Sequence, residues 1–407
     1  MTIQSTPKRL LSASILIAAL SGFAVPAMAL DADDFATKLS AMTNQGGNRL
    51  SFTAVEPVGG TVVLKSVRLE APGQPPVNIG DVTFKGVEEE DDGSYFVDEA
   101  VFADIEISEG QTKFSIDGIE MNGLTIPADG DTNSFNGMLF YEGFSTGEIR
   151  VDNKGANVFS MAGLDLDVER ADNGSKVDMK MTGSDLRIDL SKIDDPKAKD
   201  ALQQLGYDTL TGDLKMDGTW DAESGVVNLQ EYSLSLDEVG RLAMSMKISG
   251  YTLEFIKAMQ QAQAASASNP DPQAAQQAMG FAMLGMLQQL SFNSASIQFE
   301  DASVTERALA FAGKKQGVSG DQMRMALKGM LPLMLGRLGI PELQKQISAA
   351  ASIYLDNPEN IMISATPANP VAVPVIMGAS MGDPRTLVDL LNVQVSANKP
   401  VELCCKQ

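Results

Sequence analysis

Between about Asn48 and Tyr251 apolar and polar residues alternate, one segment after another, and few folds tolerate that pattern. Leu164, Leu166 and Val168 alternate with Asp165, Asp167 and Glu169. Val177, Met179 and Met181 alternate with Asp178 and Lys180, and Leu186, Ile188 and Leu190 with Arg187 and Asp189. Leu242, Met244, Met246 and Ile248 repeat the pattern against Ala243, Ser245 and Lys247. A period of two with one wet face marks antiparallel strands covered on one side only. Earlier stretches fit as well: Ile105 and Ile107, Phe114 and Ile116, Leu124 and Ile126. Turn chemistry separates the segments at Asp92-Gly93, Asn153-Lys154-Gly155, Asn173-Gly174 and Ser224-Gly225, which predicts consecutive hairpins. One short helix is expected over Pro196–Leu205, stopped by Gly206.

The character changes after Tyr251. Leu253 to Gln263 reads as helix and is followed by an Ala/Gln/Ser-rich linker through Asn269. Asp271 is placed to cap a new helix with Pro272 in its first turn. A strand carrying Ala295, Ile297 and Phe299 on one face follows. Ser303 with Glu306, and Ser319 with Gln322, are spaced as capping boxes. The second opens a helix with Met323, Leu327, Met330, Leu331 and Met334 on one side, which Pro332 should kink or break. A further helix carries Leu343, Ile347 and Leu355. Ile361–Ala365 then reads as strand, Pro367, Pro370 and Pro374 space an extended stretch, a short helix follows Asp383-Pro384, and Val393 and Val395 suggest a last strand. The expected class is therefore α+β: a large antiparallel β meander, elongated or groove-like, then amphipathic helices and a few additional strands. Residues 1–29 read as a signal peptide, 30–250 as an acidic sheet domain, and 251–407 as a Met-rich helical region packing on the sheet.

Lys8 and Arg9 precede an apolar core from Leu10 to Leu20, and Ala27-Met28-Ala29 supplies the small-x-small pattern of a cleavage site. Export to the periplasm with cleavage after Ala29 is expected. No stretch beyond it approaches the length of an apolar membrane span. Charge is unevenly spread: residues 31–250 hold 41 acids against 18 bases, whereas 251–407 hold 12 against 11. So acidic a front repels nucleic acid and anionic surfaces and suits cations or basic proteins. The chain has no histidine, which removes the usual general base near neutral pH and the commonest transition-metal ligand. Its two cysteines are the neighbours Cys404 and Cys405. They cannot staple distant segments of one chain, so the fold stands on its core.

Gly143-Phe144-Ser145-Thr146-Gly147 matches the pattern of a hydrolase nucleophile elbow, but that motif needs a following helix and a histidine. Glu148–Asp152 reads as strand, so a turn is expected there. Asp129, Asp131 and Asn133 alternate as in calcium loops, yet Ser134 stands where the pivotal glycine would fall and Phe140 where the closing acid would. They are a calcium candidate, weighed against a solvated turn. Glu88-Glu89-Glu90-Asp91-Asp92 is expected at an exposed hairpin tip, since adjacent acids repel. No pair of carboxylates is singled out for catalysis, and the chain is expected to be no enzyme and to carry no cofactor.

Half of the 22 methionines fall after residue 251. They sit among Leu, Ala and Phe at helical spacing, as in ordinary core packing. Flexible thioethers also suit an adaptable apolar pocket, and on that reading Met279, Met283, Met286, Met323, Met330 and Met334 are the candidate ligand-binding residues. A meander with one polar face has to hide the other by closing, by wrapping helices, or by holding an apolar ligand in a trough. Gly206-Tyr207-Asp208-Thr209-Leu210-Thr211-Gly212-Asp213-Leu214 and Gly218-Thr219-Trp220-Asp221, within roughly residues 100–250, resemble bacterial envelope proteins of the AsmA-like and YdgA-like type. That resemblance implies an elongated sheet with an apolar groove and a role in handling envelope lipid. The expectation is an exported, non-enzymatic protein binding a lipid or other apolar ligand. The alternative is an envelope scaffold acting through protein partners.

Overall fold

The computed structural model describes residues 30–44, 48–71, 74–128, 137–171, 174–192, 195–269, 271–336 and 339–400; the signal segment 1–29, the calcium candidate Asp129, Asp131 and Asn133, and Cys404 and Cys405 lie outside them. Helix α1 (Ala32–Thr43) comes first. Strands β1 (Arg49–Ser51), β2 (Ala54–Val58), β3 (Thr61–Glu70), β4 (Val77–Glu89), β5 (Tyr95–Phe102), β6 (Ile105–Glu109), β7 (Thr112–Ile116) and β8 (Glu120–Ile126) follow. Next are β9 (Gly143–Thr146), β10 (Ile149–Asn153), β11 (Ala156–Met161), β12 (Gly163–Arg170) and β13 (Lys176–Asp189). Helix α2 (Pro196–Leu205) leads to β14 (Thr209–Asp221), β15 (Val226–Leu236) and β16 (Gly240–Ser249). Helices α3 (Leu253–Ser268) and α4 (Pro272–Leu287) then form a hairpin before β17 (Ser291–Asp301). After α5 (Val304–Gln316), α6 (Gly320–Leu335) and α7 (Pro341–Asp356) come β18 (Asn360–Ala365), β19 (Val371–Ala372), α8 (Val373–Gly382), α9 (Thr386–Leu390) and β20 (Val393–Ala397).

All described pairings are antiparallel and belong to one sheet. It runs β3, β4, β5, β8, β9, β12, β13, β14, β15, β16, β17, β18, β20. The edge beyond β3 is shared by β1 and β2. A side ribbon, β6–β7–β10–β11, joins the far end of β13 through Phe159 and Ile188. No described pairing closes β20 onto β2, so the sheet is open and not a barrel. The sheet also continues across residue 250, where β16 pairs with β17 and the α3–α4 hairpin is an excursion between them. The fold is α+β, a large antiparallel sheet with helices and further strands behind it.

Local chemistry explains most of the elements. Asn153 and Ala156 close a two-residue hairpin loop in which Lys154 and Gly155 have φ of 52° and 76°, the backbone that matches strand twist and favours glycine. Gly212 is required for a different reason: a Cβ there would sit 1.9 Å from the Ser235 carbonyl oxygen. Asp271 caps α4 by accepting from Gln273 and Ala274 N–H, and Ser319 and Gln322 form a reciprocal box at α6, both as the sequence predicts.

Several elements differ from the sequence reading. The stretch expected as a linker after Gln263 forms the last five residues of α3, Ala264 to Ser268, because its three alanines are good helix formers. Pro332 lies inside α6 without ending it; only one turn follows, and its carbonyl accepts from Gly336 N–H and from Gln344 Nε2. Ser303 makes no cap. Its hydroxyl donates to the Glu238 carbonyl, and Asp301 instead accepts from Thr305 N–H at 3.0 Å. Gly143–Thr146 is strand rather than turn, and Pro374 opens α8.

One core cluster lies where α1 crosses β3, β4, β5 and β8. Phe35 is fully buried, edge-on to Phe84 at 5.1 Å and to Tyr95 at 5.4 Å, among Val62, Leu64, Val82, Val97 and Ile126. A smaller cluster docks α7 on the other end of the sheet through Ala350, Tyr354 and Ala397 against Phe299, Ile361 and Val395. Burial pushes the Tyr354 phenol up to about 12, and the Asp301 carboxylate that accepts its hydrogen bond at 3.1 Å acts in the same direction. A raised phenol pKa contributes stability that is fully present below the unfolded value near 10 and lost as pH rises through 12. The chain is therefore expected to lose thermal stability between pH 10 and 12. Tyr354→Phe should flatten part of that decline in a melting series over this range.

Candidate apolar groove and its cavities

The alternation that builds the strands also aligns their side chains. Val62, Phe84, Ala100, Met121, Phe144, Leu166 and Met181 are register partners in succession, each facing the next across the ladder. The series continues through Met216, Tyr232, Met244, Ile297, Ile363 and Val395. A parallel row runs Leu164, Gly183, Leu214, Leu234, Leu242, Phe299, Ile361, Ala397. Side chains in a sheet alternate faces, so the register places one apolar band on one face from end to end. Across β12 to β18 alone it is about 29 Å wide at about 4.8 Å per strand.

Helices cover this band at its ends and meet it at one place between them. Over β3–β8 it is buried under α1, and α7 covers part of β17, β18 and β20. Near its middle, α3 meets it where Trp220 donates to the Tyr251 carbonyl at 2.9 Å and Tyr251 packs on Phe255. Elsewhere the band is open: Leu242 is 43% exposed, Met246 40%, Ile297 51% and Ile363 52%.

The opposite face shows the reverse of the expected burial. Ser233, Ala243, Ser245, Ser296 and Gln298 are buried although this is the polar face. For the serines and the alanine, size explains it; Gln298, also buried, is a long side chain. Arg241 pairs with both Glu231 and Glu300, and to reach Glu231 its stem passes the Ser233–Ala243 position. Ser245 and Ser296 join hydroxyls at 2.7 Å. Short side chains beneath long, ion-paired neighbours are hidden with no second layer.

Two cavities adjoin the band beneath the segment 138–141, where Phe140 bridges to Thr125 of β8. One, of about 170 Å³, is lined by Met138, Leu139, Phe140, Tyr141, Leu166, Val168, Arg170, Val177, Met179 and Trp220. The other, of about 160 Å³, shares Met138 and Leu139 and adds Met42, Leu253, Ile256, Lys257 and Gln260. Arg170 continues the apolar face of β12 after Leu164, Leu166 and Val168, and its guanidinium carbon lies over the Phe140 ring, 4.3 Å from the centroid.

The methionines singled out from the sequence are not gathered into these cavities. Met286 and Met323 are buried, Met279 is half-buried, and Met283, Met330 and Met334 are exposed. None lines either cavity. Ser145 sits in strand β9 opposite Glu120 and Asp165, with no helix behind it. Of the acidic run, Glu88 and Glu89 end β4 and the rest forms the hairpin tip, where Asp92 accepts from Ser94. Sequence reasoning passed over Arg170 and Lys257. The signal for Arg170 was legible, a cation at an apolar position of an alternating strand.

The model of an uncharacterised protein family matches residues 233–398, from the middle of β15 to the end of β20. No curated protein matches the chain. No described helix is long and apolar enough to cross a membrane.

If the middle of the band is open in solution, truncating it should cost little. Ile297→Ala is expected to cost about 1 kcal/mol or less, and Leu64→Ala, in the α1 core, about 2–5 kcal/mol. Urea unfolding of the two variants measures both.

Proposed function

We propose that this chain is an exported periplasmic protein without catalytic activity that binds lipid or another long apolar molecule along the open band. The register-aligned apolar row, exposed at its middle, carries this reading. Monomeric soluble proteins rarely leave a large contiguous apolar patch uncovered without a binding role. Burying a whole Leu or Ile side chain gains about 1.5–3 kcal/mol, so covering four half-exposed ones gains about 3–6 kcal/mol. A micromolar complex needs about 8 kcal/mol. The occupant must therefore touch many strands, which favours an extended chain over a compact ligand. The missing histidine argues against common hydrolytic chemistry, the N-terminal segment supports export, and the likeness to AsmA-like and YdgA-like proteins points the same way.

A second reading is an envelope scaffold. Its support is apolar surface away from the band: Phe281 on α4, Leu333 on α6 and Met381 on α8 are all strongly exposed. Native mass spectrometry and organic extraction of protein gently purified from its own envelope separate the two. A reproducible lipid adduct, lost in a folded Met244→Glu/Ile297→Glu variant, is the expected result. An adduct-free mass with no extractable lipid overturns the lipid reading and favours the scaffold.

A further inference from the structure

We infer that the chain docks on the surface of a phospholipid bilayer through one end of its sheet, where Phe281 of α4, Leu333 of α6 and Met381 of α8 enter the acyl chains. The inference deepens the proposed lipid reading by adding the place where the chain meets its lipid source. It stands first on where charge is missing. No Asp, Glu, Lys or Arg occurs in residues 272–299, 329–336 or 360–382, although 21% of the chain is charged. Core segments often lack charge, but the helices in these stretches are open: Phe281 is 75% exposed, Leu333 81% and Met381 85%. The three stretches also come together. At the start of α8, Val373 N–H donates to the Leu290 carbonyl just after α4, at 3.0 Å, and Phe292 pairs with Val371. A Cβ on Gly339, between α6 and α7, would lie 3.8 Å from Arg385 Cδ, just after α8. These contacts gather at the end of the sheet where β17 begins and β18 stops.

The form of α8 selects the occupant. A helix apolar all round is ordinarily buried in a core or in hydrocarbon, yet Val373–Gly382 has no buried residue. A protein partner covers one side of a helix, whereas acyl chains surround it. Protein interfaces also carry roughly one hydrogen bond per 100–200 Å². Here 329–335 has no polar side chain, and the one in α8, Ser380, donates to the Met377 carbonyl of its own helix at 2.7 Å. The same exposed residues that would serve a scaffold therefore suit hydrocarbon better. Charge sets the orientation. Residues 31–250 hold 41 acids against 18 bases and are repelled by anionic headgroups, whereas 251–407 hold 12 against 11 and can approach. The patch also runs into the open band, because the half-exposed Ile297 and Ile363 lie on strands within the charge-free stretches.

Mature protein, residues 30–407, is floated with vesicles of phosphatidylcholine and phosphatidylethanolamine. It should co-float and stay bound in about 0.5 M salt, where attraction between charges is screened. Phe281→Gln/Leu333→Gln/Met381→Gln should lower the partition coefficient at least about ten-fold, since three inserted side chains are lost. Phe281→Leu/Leu333→Ile/Met381→Leu, which keeps the surface apolar, should bind as the parent does and guards against a folding defect. Brominated acyl chains should quench the emission added by Met381→Trp and not that added by Ile107→Trp, an equally apolar exposed position on β6 at the acidic front. No vesicle binding, binding unchanged in the Gln variant, or equal quenching at both positions overturns the docking inference. A concentration-dependent dimer that the Gln variant loses, with no vesicle binding, overturns it in favour of a second copy on the patch. The lipid reading fails separately, by the absence of a lipid adduct in native mass spectrometry, so a chain that carries lipid but does not float loses only its docking surface.

Discussion

Everything in this protein depends on an unbroken antiparallel ladder that stays in register from β3 to β20. Backbone pairing alone gives only a sheet. Because every step also preserves which face a side chain occupies, an apolar residue on one strand meets an apolar residue on the next, twelve times from Val62 to Val395. A slip of one residue would turn a strand's whole apolar set to the other face. The bulges between Asp217 and Gly218 and between Lys247 and Ile248 absorb irregularity without such a slip, since Trp220 still faces Val227 and Ile248 still faces Phe292.

The two faces of β15 to β17 differ in how they meet solvent, and size is the reason. Serine and alanine beneath the Glu231–Arg241–Glu300 pairs are hidden at the cost of ordering three charged side chains. Leucine, methionine and isoleucine on the other face stand clear of the helices. The helices do not compensate: α1 and α7 seal the ends of the band, α3 touches its middle, and α4, α6 and α8 keep apolar residues of their own exposed. A protein that leaves such surface open gains from an occupant that covers it, and the row structure favours a long one.

Much of this was legible in sequence. Leu164-Asp165-Leu166-Asp167-Val168 announces β12, Asn153-Lys154-Gly155 the turn of the β10–β11 hairpin, and Ser319 with Gln322 the start of α6. Helix α1 was missed although Phe35, Ala36 and Leu39 are spaced for one buried stripe; its short amphipathic run lies just after the expected cleavage site. The pairings β5–β8 and β11–β13 skip over intervening strands, and alternation specifies a face but not a neighbour. The cavities beneath 138–141 could not be read at all, because Met42, Met138, Trp220 and Lys257 meet there only through tertiary contact. Methionine spacing pointed to the helices, whereas the sheet itself holds the continuous apolar surface.

The central claim is facial: one side of the sheet meets an apolar ligand and the other does not. A photoreactive phenylalanine analogue placed at Ile297 and, separately, at its neighbour Ser296 tests it inside the native envelope. The account predicts lipid crosslinks from position 297 and none from 296. Crosslinks from 297 to protein, or equal lipid labelling at both positions, would contradict it.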